Sequence, residues 1–321
     1  MRIIYIYLRI PHARFSRLCD NLPIMTPSLK LESREASLCV WWEDRPVFTY
    51  AFTGSPKPHV SLLATPAGEV VTLDSPHDHV HHRGLMFACK VEGVNFWEET
   101  AVPGEDAPRG DIVHLRWDRR ACDGRRVELV EALDWKRRAD GEVLLNEERS
   151  LCVEVDAERG AVRCEWRTQL TNPSGHDIVL SGQTPYSPIS YYGLGLRFAR
   201  ALDHSGTHLN AKGPCALPES NGARSAWHDY SGTLDSSHAR VGVLIADAPT
   251  NPRHPTEWFL AAHPPAPFAY VTAAMLARED YTLGASGVLE LHYAVWAHAD
   301  HWTSATCQHV VDTYFQPVSS L

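Results

Sequence analysis

Residues 162–170 read Val162-Arg163-Cys164-Glu165-Trp166-Arg167-Thr168-Gln169-Leu170, with apolar and polar side chains taking turns along the run. A period of two puts Val162, Cys164, Trp166 and Leu170 on one face of an extended chain, the pattern of a half-buried antiparallel strand. Just upstream, Arg126–Trp135 and Glu142–Val155 flank Ala139-Asp140-Gly141, which suits a positive-φ turn and predicts a hairpin. Short runs rich in β-branched and aromatic residues recur on both sides: Leu38–Trp42, Pro46–Ala51, Val70–Leu73, Leu85–Val91 and Asp111–Trp117 before it. Ile178–Gln183, Gly195–Phe198, Val241–Ala246, Trp258–Ala262 and Val288–Trp296 follow it. Each run ends near Gly, Pro, Asn or Asp, the spacing of a sandwich or barrel. Only Thr303–Phe315 suggests a short helix. The expected fold is therefore all-β, a large antiparallel β-sandwich. With no linker to separate two cores, residues 29–321 are expected to form one domain behind an extension over residues 1–28.

Composition narrows the function. The 321 residues are 44% hydrophobic and 21% charged, with net charge −9 and a pI near 6.0. No basic excess exists to displace counterions, so nucleic acid is not an expected partner, and an anionic membrane surface is disfavoured. No run approaches the ~20 apolar residues of a membrane-spanning helix. The apolar start, Met1 to Leu8, is broken by Arg9 and is too short for a signal segment, so the expected address is cytoplasmic. Eight cysteines at 19, 39, 89, 122, 152, 164, 215 and 307 include no C-x-x-C pair. Zinc-ribbon and thioredoxin readings therefore fail, and Cys152 and Cys164 are expected to be buried free thiols. No G-x-S-x-G elbow or P-loop occurs, and Gly193-Leu194-Gly195 lacks the third glycine of a dinucleotide fingerprint, so no nucleotide cofactor is expected.

Two stretches break the strand rhythm, Pro103–Gly110 and the histidine-rich Ala201–Thr233; irregular segments this long are more often functional than incidental. The densest chemistry lies in Ser75-Pro76-His77-Asp78-His79-Val80-His81-His82-Arg83-Gly84. If extended, this segment points His77, His79 and His81 to one face and His82 to the other. That register makes His81 the ligand-facing residue and His82 a structural one. Imidazoles at i, i+2 can also converge on one divalent metal, with His79 and His81 as candidate ligands. Against these readings stands a plain polar surface loop. Trp227-His228-Asp229-Tyr230-Ser231-Gly232 and Asn251-Pro252-Arg253-His254-Pro255 read as shaped turns rather than strand interiors. In them Trp227 and Tyr230 can stack on a ring, Arg253 (like Arg83) can offer a donor fork, and Asn251 can bind a ligand. Glu290 and His292 share a strand face, which makes His292 a third candidate metal ligand.

The run His79-Val80-His81-His82-Arg83-Gly84-Leu85-Met86-Phe87-Ala88, followed by Val91-Glu92-Gly93-Val94-Asn95-Phe96-Trp97, resembles the PmoA-like family. Tyr191 to Phe198, Trp227 to Gly232, Asn251 to Pro255 and Leu289 to Tyr293 also fit, so the resemblance runs from roughly residue 30 to 315. Val80 stands where the family has proline, and Met86 where it has tryptophan. The family's label, methane oxygenase, conflicts with the sequence, because the membrane enzyme's subunit is built from transmembrane helices. The resemblance implies instead a galactose-mutarotase-like β-sandwich and, by association with sugar oxidoreductases, carbohydrate chemistry.

The expected function is an enzyme using histidine and carboxylate acid–base chemistry on a carbohydrate-like ring, as a lyase, hydrolase or epimerase. His79, His81, His228 and His254 are the candidate catalytic residues, and Arg83, Arg253, Trp227, Tyr230 and Asn251 the candidate substrate-binding ones. A sugar-binding sandwich without turnover and a metal-dependent oxygenase are the alternatives. A single site would require the His77–Arg83 segment to lie within side-chain reach of Arg253 and His254.

Overall fold

The computed structural model describes residues 28–100, 103–262 and 266–316, so the extension expected over residues 1–28 lies almost wholly outside the described residues. Two large sheets carry the fold, and every pairing between their strands is antiparallel. In spatial order, the larger sheet runs Gly213–Cys215, Thr207–Asn210, Trp227–Thr233, Arg240–Asp247, Val288–Ala299, Ala161–Thr171, Val143–Asp156, Arg126–Arg137 and Gly110–Cys122. The second runs Leu29–Ser33, Ser37–Trp42, Arg45–Ala51, His59–Leu63, Leu85–Ala88, Gly193–Arg197, Tyr270–Ala273 and Trp258–Ala261. A small sheet of Tyr281–Leu283, Ile178–Ser181, Lys90–Val91 and Val94–Asn95 completes the fold. This is the antiparallel all-β sandwich that the alternation predicts.

Ala161–Thr171 sits inside the larger sheet, where Trp166 faces Leu151 on one neighbour and Tyr293 on the other. Val162, Cys164, Trp166, Thr168 and Leu170 are buried, and Arg167 is exposed. The hairpin forms with Gly141 at φ 77°, a conformation open to glycine at little cost. Buried residues of both large sheets, among them Val40 and Phe48 on one and Leu129 and Val153 on the other, form a single apolar cluster. A polar knot also crosses it. Tyr50 donates to Glu131 (2.6 Å) and accepts from Arg149, whose guanidinium clasps Glu147 at 2.7 and 2.9 Å over the Trp166 ring.

The helix Ser304–Phe315 begins at Thr303, whose hydroxyl caps the Thr306 amide. It lays Cys307, Val310 and Val311 against Trp227, Leu244, Ala294 and Trp296 on the other face of the larger sheet. Val241, Val243 and Ile245 face the main core while Leu244 and Ala246 face the helix, which is why this strand is apolar throughout. Among the described residues, no helix is long and apolar enough to cross a membrane. Cys164 is buried, Cys152 is half-buried, and both are free thiols.

Several local expectations are corrected. Val70–Leu73 is not a continuous strand: Val71 donates back to the Leu63 carbonyl, while Leu73 donates to Arg197 and Val71 accepts from Ala199, so it makes isolated bridges to two different segments. Leu85–Val91 is split at Cys89 between two sheets. Trp227–Thr233 is a buried strand rather than a turn, and Thr207–Asn210 lies beside it within the stretch read as a loop. Its polar side chains tolerate burial because neighbouring strands bond them: His228 to His208 at 2.9 Å, Asp229 to His298 at 2.8 Å.

The alternation predicts a sharp contrast between neighbours. Trp166→Ala should cost about 3–5 kcal/mol in urea unfolding, whereas Arg167→Ala, one residue on, should change stability by no more than about 0.5 kcal/mol.

Candidate functional site

The histidine segment is not extended. Backbone bonds from His79 to Pro76 (3.0 Å) and from His82 to His79 (2.9 Å) fold it into consecutive turns, and Ser75 bonds back to the carbonyl of His82. Coiling removes the two-residue alternation, so His79, His81 and His82 gather their rings instead of splitting between faces. His79 stacks on His82 at 4.9 Å, and His81 meets His82 edge-on at 4.6 Å. All three line one cavity, while His77 is exposed. The opposite faces expected for His81 and His82 are thereby corrected. Gly84 ends the turn at φ 53°, where an added Cβ would fall 2.2 Å from the Val60 carbonyl oxygen; only glycine fits.

The opposite wall comes from Trp97 and Glu98. Asn95 is fully buried and shapes this segment, its Oδ1 accepting from the Trp97 and Glu98 amides at 2.8 and 3.0 Å. Glu99, next in the chain, ties the two walls together. It receives Arg83 through two bonds of 2.8 and 2.6 Å, and Lys57 at 3.0 Å, while Lys57 also donates to the Trp97 carbonyl. Burial raises the Glu99 carboxyl, but the two cations outweigh it and hold it below the usual range. Burial lowers the Lys57 ammonium.

The cavity between these walls measures about 480 Å³. Its aromatic lining is Trp97, Tyr186, Tyr191, Phe259, Phe268 and Tyr270, and its polar lining is the histidines with Asp78, Glu98 and Ser187. Glu98 is 3% exposed, and burial raises its carboxyl above the usual range. Tyr191 donates to Glu98 Oε1 at 3.1 Å while accepting from Thr184. The other oxygen, Oε2, lies 3.2 Å from His81 Nδ1 and makes no hydrogen bond among the described residues. Burial takes His81 down to about 3 and His82 well below its ordinary value, so both imidazoles are neutral at pH 7. Asp78 is drawn down to about 2 by Arg200. A buried carboxyl with a raised pKa beside an imidazole is a pair between which a proton can be exchanged.

The other sequence candidates lie elsewhere. Arg83 spends its fork on Glu99. Arg253 donates to the carbonyls of Met275, Glu279 and Asp280, bracing a loop rather than facing a ligand. His254 pairs with the buried Asp247 at 2.8 Å and lines a different, shallower depression, so the expected union with the histidine turn is not formed. Asn251 is buried and bonds Asp247 and the His292 backbone. Trp227 lies under the helix, bonded to Gln308, and Tyr230 packs on Phe198 with its hydroxyl on the Leu202 carbonyl. His228 is sealed against His208 and Trp258. None of the three reaches the cavity, because the strand pairing they take part in buries both faces. His292 pairs with Glu165 at 2.9 Å in a third depression, so His79, His81 and His292 do not form one ligand set. Among the described residues, no group of three or more His, Cys, Asp or Glu is arranged to hold a metal ion. Sequence reading overlooked Glu98, Glu99, Tyr186, Tyr191, Phe259, Phe268 and Tyr270. The adjacent acids after Trp97 were the one available signal.

Two outcomes follow from this geometry. Glu99→Gln leaves Lys57 buried without its counter-charge and should cost roughly 3–5 kcal/mol in chemical denaturation. His82 has a folded pKa below its unfolded value near 6.5. As pH falls below about 6.5 the unfolded chain takes up a proton that the folded chain refuses, so stability is lost on acidification. Unfolding midpoints compared at about pH 7 and about pH 5 should therefore fall less for His82→Phe than for the wild type.

No curated protein matches the sequence. Among solved structures, the fold is similar to an α-galactosidase from Lactobacillus brevis (9% identity, TM-score 0.42), over 85% of this chain and 39% of that one. It is also similar to an α-galactosidase from Geobacillus stearothermophilus (8%, 0.45), over 85% and 41%. A third similar structure is a putative mutarotase from Salmonella typhimurium (9%, 0.37), over 85% and 95%. The chain thus spans about two-fifths of the length of the two galactosidases. Likenesses this weak say nothing about chemistry. The family is shown by sequence: a model matches residues 37–312, and the chain belongs to DUF6807, a family of unknown function.

Proposed function

We propose that the cavity binds a carbohydrate-like ring and acts on it by proton transfer, with Glu98 and His81 as the exchanging pair. One contact carries this reading: the buried Glu98 Oε2 standing 3.2 Å from His81 Nδ1 inside an aromatic-walled cavity. The flat faces of Trp97, Tyr191 and Phe268 suit the apolar C–H faces of a sugar. Burial favours the protonated form of Glu98, the form that can deliver a proton to a leaving or carbonyl oxygen. Burial weakens His81 as a base, so its uptake of a proton depends on Glu98, whose carboxylate, once it has given up its own proton, offsets the imidazolium 3.2 Å away. Tyr191 fixes the carboxyl's orientation through Oε1. The resemblance to PmoA-like proteins, with its carbohydrate association, points the same way.

The test is a panel of glycosides and 3-keto-glycosides assayed for both binding and turnover. Glu98→Gln should lower turnover by at least about 100-fold while leaving ligand binding in place. Undiminished turnover in that variant overturns the role of Glu98. Binding by the wild type with no turnover of any member makes the protein a sugar-binding sandwich instead of an enzyme.

A further inference from the structure

We infer that this cavity is selective for uncharged rings and rejects their carboxylated and phosphorylated counterparts, an inference that rests on its reading as a sugar site. The first ground is what lines it. Its acidic side chains are Asp78 and Glu98; among the described residues, neither lysine nor arginine lines it. A site for a uronate or a sugar phosphate ordinarily meets the anion with such a cation, most often a bidentate arginine.

The second ground is that the cations close by are already paired with carboxylates of the protein. Lys57 and Arg83 converge on Glu99, and Lys57 also holds the Trp97 carbonyl. Arg200 is engaged by Asp78 at 2.8 Å. Arg197 is clasped by Asp203 at 2.9 and 3.4 Å and lies beneath the Phe268 ring, 4.9 Å from its centre. Turning any of these toward a ligand would strand a carboxylate that it now neutralises, most severely at buried Glu99.

The third ground is the charge the cavity already carries. Asp78, drawn down to about 2 by Arg200, and the buried Glu98 both line it. A carboxylate or phosphate would add a negative charge beside these acids in a poorly screened interior, and a neutral ring would not. The hydroxyls of Tyr191 and Tyr186 do not offset that charge, since they donate to Glu98 and to the Pro103 carbonyl. The donors left without a partner among the described lining residues, Trp97 Nε1 and the Tyr270 hydroxyl, are neutral.

The experiment is calorimetric titration of the full chain at neutral pH with matched methyl glycosides and glycuronides of the gluco, galacto and manno series. Glucose 6-phosphate is added to the gluco set, and each titration is run in EDTA and again with added manganese. A neutral member should bind, its anionic counterparts should bind at least about tenfold more weakly, and Glu98→Gln should narrow the gap. Anionic members that bind as well as or better than the neutral one, in either buffer, overturn the selectivity while leaving the cavity a sugar site. If no member of any series binds, the sugar reading itself falls and the selectivity falls with it.

Discussion

Glu99 is the point at which the site is held together. Its carboxylate is nearly out of solvent and takes one cation from each of two distant segments, Lys57 ahead of the strand His59–Leu63 and Arg83 at the end of the histidine turn. Because Glu99 directly follows Trp97 and Glu98, those two ion pairs set where the aromatic wall and the buried acid stand relative to the histidines. Buried charges are costly unless every one is matched. That cost makes the arrangement specific: displacing any of the three residues leaves another uncompensated.

The same pairing of carboxyl and imidazole recurs in this molecule with different consequences. Asp229 and His298 are fully buried, with Ser231 filling the other carboxylate oxygen and Trp302 stacked on the ring 4.0 Å away. Glu165 meets His292 on the outer face of the larger sheet; burial opposes its ionisation, but His292 and Arg167 bring it down to about 2. Asp247 binds His254, Asn251 and the Thr256 amide at once. Asp229 and Asp247 have both oxygens bonded within the protein, and Glu165 has one oxygen shared by His292 and Arg167. Glu98 differs, since one oxygen is oriented by Tyr191 and the other is left without a donor beside a neutral ring. That unmet valence, more than the presence of histidine, separates a chemically available pair from a structural one.

The sandwich supplies the frame for this asymmetry. Leu85–Ala88 and Lys90–Val91 carry the chain from the second large sheet into the small one, directly between the histidine turn and the Trp97 segment. Gly193–Arg197 pairs antiparallel with both Leu85–Ala88 and Tyr270–Ala273, which sets Phe268 and Tyr270 toward the Leu85 end and Tyr191 toward the Ala88 end, so residues far apart in sequence line one cavity.

The amino-acid sequence by itself determined the class of the fold and the identity of its main strands. Side-chain alternation at Ala161–Thr171, the Asp140-Gly141 turn and the capped helix after Thr303 are local signals that the packed chain preserves. It also marked the histidine turn as chemically unusual. The tertiary structure decided which residues meet. Periodicity presumes a regular backbone, and the coiled turn from Pro76 to His82 has none, so His82 joined its neighbours instead of opposing them. Polar segments such as Trp227–Thr233 look like turns until neighbouring strands bond their side chains and make burial affordable. Whether an acid is solvated, paired or left with a free oxygen depends on what packs over it. Glu98, Glu99 and Glu165 are the same residue in sequence, and their surroundings alone gave them different protonation behaviour.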